Sequence, residues 1–195
     1  MPIRGPVEPG STVTEEYEIR AATAGDAPGV QRVARAAWHA TYDDIVGPER
    51  VTETVDSWYD PDRLVEDDVR DPDRPFVVAV RGEAERVLGF AEAAVADEED
   101  AAEDADEADE ADATGDWHLY RIYVHPEAWG EGIGSALLAA IEAALRERGV
   151  EVLRVSVLTD NDVGVAFYES RGFEFVETVP DEAFDVPRSE YVKYL

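Results

Sequence analysis

LYRIYVHPEAWGEGIGSALLAAIEAALRERG, residues 119–149, is the stretch whose reading decides the fold. Tyr120, Ile122 and Val124 alternate at strand period until Pro126 ends the ladder. Gly130, Gly132 and Gly134 then occupy every second position. Ile133, Leu137, Leu138, Ile141 and Leu145 follow at helical spacing. The order is strand, glycine loop, amphipathic helix. A glycine-led helix N-terminus gathers unpaired backbone N–H groups and the positive end of the helix dipole, with no Cβ in the way of a ligand. That geometry suits a phosphate. A P-loop would need G-x-x-x-x-G-K-[ST], and no lysine is near. A dinucleotide fingerprint would need a third glycine where Leu137 stands.

Composition narrows the classes further. The chain has 195 residues, the length of one domain with a core and a buried site. It carries 46 acidic and 17 basic residues, a net charge of −29, and Lys193 is its one lysine. Residues 97–112 hold 11 acids and no base, yet removing them leaves a net 18 negative charges on the rest. Acidity is therefore global and fits a very salty cytoplasm, where screening acts within a few ångströms. With no basic stripe, nucleic acid is not an expected partner. The chain has no cysteine, and His39, His118 and His125 are too scattered for a zinc motif, so no metal is expected. Neither a signal core nor an apolar run of about 20 residues occurs, so the expectation is a cytoplasmic protein off the membrane.

Along the chain, residues 1–15 look like a flexible tail ahead of a domain over 16–195. YEIRAA from Tyr17 reads as a strand. Asp26 and Pro28 open a first helix, with Val30, Val33, Ala34, Ala37 and Trp38 on one face, running to about Tyr42. Two short helices follow, separated at Asp60-Pro61. PFVVAV and VLGFAEAAVA form a hairpin around Arg81-Gly82-Glu83. The tract over 97–113 is expected to be a disordered acidic insertion, because like charges recur at helical spacing with nothing to neutralise them. After Gly149, EVLRVSVLT is a strand expected beside the one that ends at Val124, parallel to it through a β-α-β crossover in an otherwise antiparallel sheet. A helix after Asn161 and two strands, FEFVETV and EYVKYL, complete the order.

Asn161-x6-Tyr168-Glu169-x2-Gly172-Phe173 adds a second constellation. Seven residues span almost two helical turns, so Asn161 and Tyr168 face one ligand. Together with the V-x-P strand end and the loop Trp129-Gly130-Glu131-Gly132-Ile133-Gly134, this resembles the GNAT superfamily of acyl-CoA N-acyltransferases. The loop departs from that family's [QR]-x-x-G-x-[GA] at Trp129, and Glu131 adds a negative charge where a cation would help a diphosphate. The resemblance implies an α/β GNAT fold: a mixed central sheet of about seven strands, flanked by about four helices, with a central parallel pair splayed for CoA.

The resemblance also implies roles. Acetyl-CoA is the acyl donor. Ile122, Tyr123 and Val124 pair with its pantetheine; Trp129, Gly130, Glu131, Gly132, Ile133, Gly134 and Ser135 receive its diphosphate; Asn161 hydrogen-bonds it. Tyr168 gives the leaving thiolate its proton. His118 is the expected base, four residues ahead of the pantetheine-pairing position and on a face shared by 118, 120, 122 and 124, with Glu92 as the alternative. Trp38 and Tyr42, one turn apart on the first helix, line the acceptor site. The acceptor is a primary amine of a small molecule or peptide, handled by a monomer or homodimer. The rival expectation is a CoA-binding sensor of the same fold without turnover.

Overall fold

The computed structural model describes residues 17–96 and 117–195. The expected tail and the expected acidic insertion lie outside the described residues. Strands β1 (Tyr17–Ala21), β2 (Phe76–Arg81), β3 (Arg86–Val95), β4 (Trp117–Val124), β5 (Val152–Leu158), β6 (Glu174–Asp181) and β7 (Val186–Tyr194) form one sheet. Its order is β1-β2-β3-β4-β5-β7-β6. Every neighbouring pair is antiparallel except β4 and β5. That pair is parallel because helix α4 (Ile133–Glu147) makes the crossover between them.

Each face of the sheet has its own core. On one side α1 (Ala27–Val46) and α2 (Pro48–Trp58) bury Val30, Val33, Ala34, Val51 and Val55 against Phe76, Val78 and Phe90. A single turn, α3 (Pro61–Arg63), is capped by the Asp60 carboxylate and continues as a π-helical turn over Leu64–Val69. On the other side, the predicted stripe of α4 packs with Trp117, Leu119, Leu153 and Val155. Ile133, Leu137, Leu138, Ile141 and Leu145 are all within 2% of full burial. Burying each contributes about 1.5–3 kcal/mol. Helix α5 (Asp162–Ser170) adds Tyr168 to this second core.

Two irregularities in β4 shape the centre of the sheet. The register with β3 shifts between Glu92 and Ala93, which face Arg121 and Leu119, so Tyr120 is an extra, bulged residue. Trp117 and Leu119 before the bulge, and Ile122 and Val124 after it, therefore all pack on the α4 side. Tyr123 packs on the α1 side. The expected single face through 118, 120, 122 and 124 is broken there, since one inserted residue flips every side chain beyond it. The second irregularity is the parallel pairing itself. Trp117 faces Leu153 and His118 faces Arg154, and there the register ends. Beyond His118 the two strands diverge.

Candidate active site

The divergence opens a cleft of about 470 Å³. Leu119, Tyr120, Ile122, Tyr123 and Val124 form one wall, and Ser156 and Val157 of β5 face them. The glycine loop closes one end, α5 lies along the side, and Ala37, Thr41 and Tyr42 of α1 reach the other end. An unpaired strand edge in such a wall offers backbone donors and acceptors to an extended ligand that carries amides.

At the loop, Gly130 and Gly132 take φ of +82° and +81°, the left-handed region that a side chain strains to adopt. Gly132 caps α4 without any side-chain hydrogen bond, which leaves the first-turn N–H groups free for an acceptor from outside. Trp129 stands half exposed, and its Nε1 donates to the Val124 carbonyl at 2.7 Å. Trp129 thus ties the loop to the end of β4. Glu131 points elsewhere: it is absent from the cleft lining and pairs with Arg81 of β2.

Helix α5 supplies the chemistry-bearing side chains. Asn161 is its N-cap, accepting from Gly164 N–H at 2.9 Å, while its Nδ2 donates to the Tyr42 hydroxyl at 3.2 Å. A Cβ on Gly164 would lie 2.6 Å from that Nδ2, so only glycine leaves room for this arrangement. Tyr168 is buried against Phe167 and Phe173, with ring centroids 5.4 Å from each, and lines the cleft. Burial, aided by the nearby Tyr42, pushes its phenol far above the usual range, so it stays protonated at neutral pH.

The structure brings Tyr42, Ile122, Tyr123, Val124, Trp129, Gly130, Gly132, Ile133, Gly134, Ser135, Asn161 and Tyr168 to one cleft. Trp38 lies behind it. Its ring packs 4.8 Å from Tyr42 and its Nε1 donates to the Tyr59 hydroxyl at 3.2 Å. His118 sits at the closed end of the parallel pair, 5.9 Å from the Tyr120 ring and outside the cleft lining. Glu92 is fully buried elsewhere, held by Arg74 at 3.1 Å and Arg121 at 2.6 Å, with Asp68 on the same two guanidinium groups. Burial raises its pKa above the ordinary carboxylate value even with both cations beside it.

Sequence reasoning missed Arg171. It is the one cation among the described residues lining the cleft, and no carboxylate joins it there. Its guanidinium lies 5.6 Å over the Phe167 ring and donates to the Ser135 hydroxyl. A signal existed, because Arg171 follows Phe167 by four residues and Tyr168 by three, and so returns to the same helix face. For a chain of net charge −29, a cleft wall with one cation and no carboxylate is fitted to an anionic ligand.

Comparison with known proteins places this geometry. Residues 37–173 match the acetyltransferase (GNAT) family. The chain is 27% identical over 162 residues to a spermidine N(1)-acetyltransferase of Thermoplasma acidophilum, covering 83% of this chain and 90% of that protein. Its fold superposes on the PaiA N-acetyltransferase of Thermoplasma acidophilum, solved with coenzyme A, at a TM-score of 0.74 and 25% identity, covering 92% and 99% of the two chains. A ribosomal-protein-alanine N-acetyltransferase of Brucella melitensis gives 0.67 and 26%, covering 91% and 99%. A splayed parallel pair, a glycine loop on α4 and a buried tyrosine on α5 thus occur here within a matched family domain. The chain belongs to the GNAT acetyltransferase family and is an acyl-CoA N-acyltransferase.

Proposed function

We propose that this protein transfers an acetyl group from acetyl-CoA to a primary amine of a small polycationic molecule. The observation that carries the reading is the convergence of Asn161, Tyr168 and the glycine loop on the gap between β4 and β5. In this reading the diphosphate lies on the first turn of α4 with Arg171 beside it, and pantetheine runs along the open edge of β4. The neutral amine attacks the thioester carbonyl carbon, and backbone N–H near Ile122–Val124 receives the developing oxyanion. As the carbon–sulfur bond breaks, the sulfur takes the Tyr168 proton, and solvent returns one to the phenolate. The low-dielectric wall that raises the phenol raises the departing thiol as well, which keeps the transfer feasible. Neither His118 nor Glu92 lines the cleft, so water at the open mouth takes one proton from the ammonium before attack and a second from the cationic nitrogen as the tetrahedral intermediate collapses to the amide.

The polycationic acceptor rests on two supports. One is the similarity to a protein described as a spermidine acetyltransferase. The other is aromatic: Trp38 meets Tyr42, Trp58, Tyr59, Tyr123 and Phe184 within 6.2 Å, and Trp58 keeps 45% of its surface exposed. Within this cluster Trp58 is the ring most open to solvent, and the negative face of its π-system attracts cations. A panel of polyamines, aminoglycosides and peptide N-termini, assayed with acetyl-CoA and a thiol-trapping reagent in molar potassium chloride, tests it. Thiol release with polyamines supports the proposal, and release with peptides alone overturns the acceptor class. Tight acetyl-CoA binding with no release on any amine would favour a sensor without turnover.

A further inference from the structure

Glu131 poses a problem that the cleft residues do not solve. It occupies the middle of the loop assigned to the diphosphate, where an uncompensated carboxylate would repel the ligand. Three observations converge on Arg81. Arg81 ends β2, 50 positions earlier in the chain, and its Nη2 pairs with Glu131 Oε2. Both side chains are largely sequestered, at 21% and 26% exposure, so solvent screens the pair only in part. Arg81 Nε is buried without a hydrogen-bond partner, unlike every other fully buried side-chain nitrogen or oxygen among the described residues. An orphaned buried N–H is costly, so the guanidinium is held in this position against that cost while its Nη2 engages Glu131.

We infer that Arg81 is a positioning residue of the diphosphate site. It turns Glu131 out of the cleft, cancels its charge and so holds the loop N–H groups ready for an anion. This rests on the acetyl-CoA reading above and goes beyond it, since Arg81 lines no part of the cleft. The loop's acid is thereby tolerated only with its partner on β2. Removal of that partner exposes the diphosphate to an unpaired carboxylate, at a distance where moderate salt screens only part of the repulsion.

The experiment compares acetyl-CoA with S-acetylpantetheine, which keeps the thioester and pantetheine but has no phosphate, at fixed moderate salt. Arg81→Ala is expected to lower the preference for acetyl-CoA over S-acetylpantetheine by about tenfold or more. The double variant Arg81→Ala with Glu131→Gln should recover most of that preference, and Arg81→Lys should keep it. Glu131→Gln alone, which leaves β2 untouched, should hold or raise acetyl-CoA affinity because the loop then carries no carboxylate to repel the anion. The proposal is overturned if Arg81→Ala weakens both thioesters equally, if the double variant is as poor as the single, or if Glu131→Gln alone weakens acetyl-CoA binding. Failure of the unsubstituted protein to bind acetyl-CoA would overturn the acyl-donor reading itself, a result separable from all three.

Discussion

Asn161→Ala removes two interactions at once, and the geometry sets what each is worth. The side-chain oxygen caps α5 through Gly164 N–H at 2.9 Å, a contribution of about 1 kcal/mol. The Nδ2 bond to the Tyr42 hydroxyl joins two side chains at 7% and 8% exposure and adds about 1 kcal/mol. The total, about 2 kcal/mol, corresponds to a fall of roughly 4–8 °C in the unfolding midpoint for a domain of this size. Differential scanning calorimetry in molar salt measures it. Asn161→Asp keeps the capping oxygen, and its second oxygen can accept from Tyr42, so most of the stability should return. Acetyl-CoA affinity should not return, because the new charge faces the cofactor's cleft. Gly164→Ala should mimic Asn161→Ala without touching Asn161, since the added Cβ lies 2.6 Å from its Nδ2. Restoration of both stability and affinity by Asn161→Asp would refute the reasoning, as would an Asn161→Ala cost below about 0.5 kcal/mol.

Other expectations come from the buried groups and the surface. Burial pushes the Tyr59 phenol up to about 12, with the Arg121 cation opposing. The folded form then holds its proton after the unfolded chain has lost it, so stability is intact below pH 10 and falls as pH rises from about 10 to 12, by roughly 2–3 kcal/mol from this group. Denaturant titrations across that range check it, and Tyr59→Phe should flatten the slope. Arg121→Ala leaves the fully buried Glu92 with one cation fewer and should cost about 3 kcal/mol. That cost should shrink at pH 5 relative to pH 8, because Glu92 can then take up a proton; an equal cost at both would contradict the assignment. Finally, a net charge of −29 predicts an unfolding midpoint that climbs between low and molar potassium chloride, and a flat response would show that charge repulsion does not govern stability.

The legible part of this protein was local. Strand β4, the alternate glycines and the stripe of α4 are written in contiguous residues, as is the spacing that puts Asn161 and Tyr168 on one cleft. Features set by partners distant in sequence were not legible. The bulge at Tyr120 exists because Glu92 and Ala93 skip it, and nothing in LYRIYV marks that skip. It separates Ile122 and Val124 from the face that simple alternation gives them, and with it the expected alignment with His118. The placement of β7 between β5 and β6 is likewise a matter of pairing rather than composition. So is the Arg81–Glu131 contact, which turns an apparent defect of the loop into a paired group. Helix α1 runs to Val46 instead of about Tyr42, because Asp43 and Asp44 continue the helix until Gly47 at φ +88° stops it.

The central claim is that Tyr168 delivers the proton that lets the sulfur leave, and single-turnover transfer by Tyr168→Phe tests it most directly. The ring and its packing on Phe167 and Phe173 are retained, so acetyl-CoA affinity should stay close to that of the unsubstituted protein. The rate of the chemical step should fall about 10²-fold or more, the scale of a positioned general acid. The unsubstituted protein should show no loss of rate near pH 10 from this group, because burial holds the phenol protonated well beyond it. A Tyr168→Phe protein that transfers acetyl as fast as the unsubstituted one, with chemistry shown to limit the rate, would contradict the account.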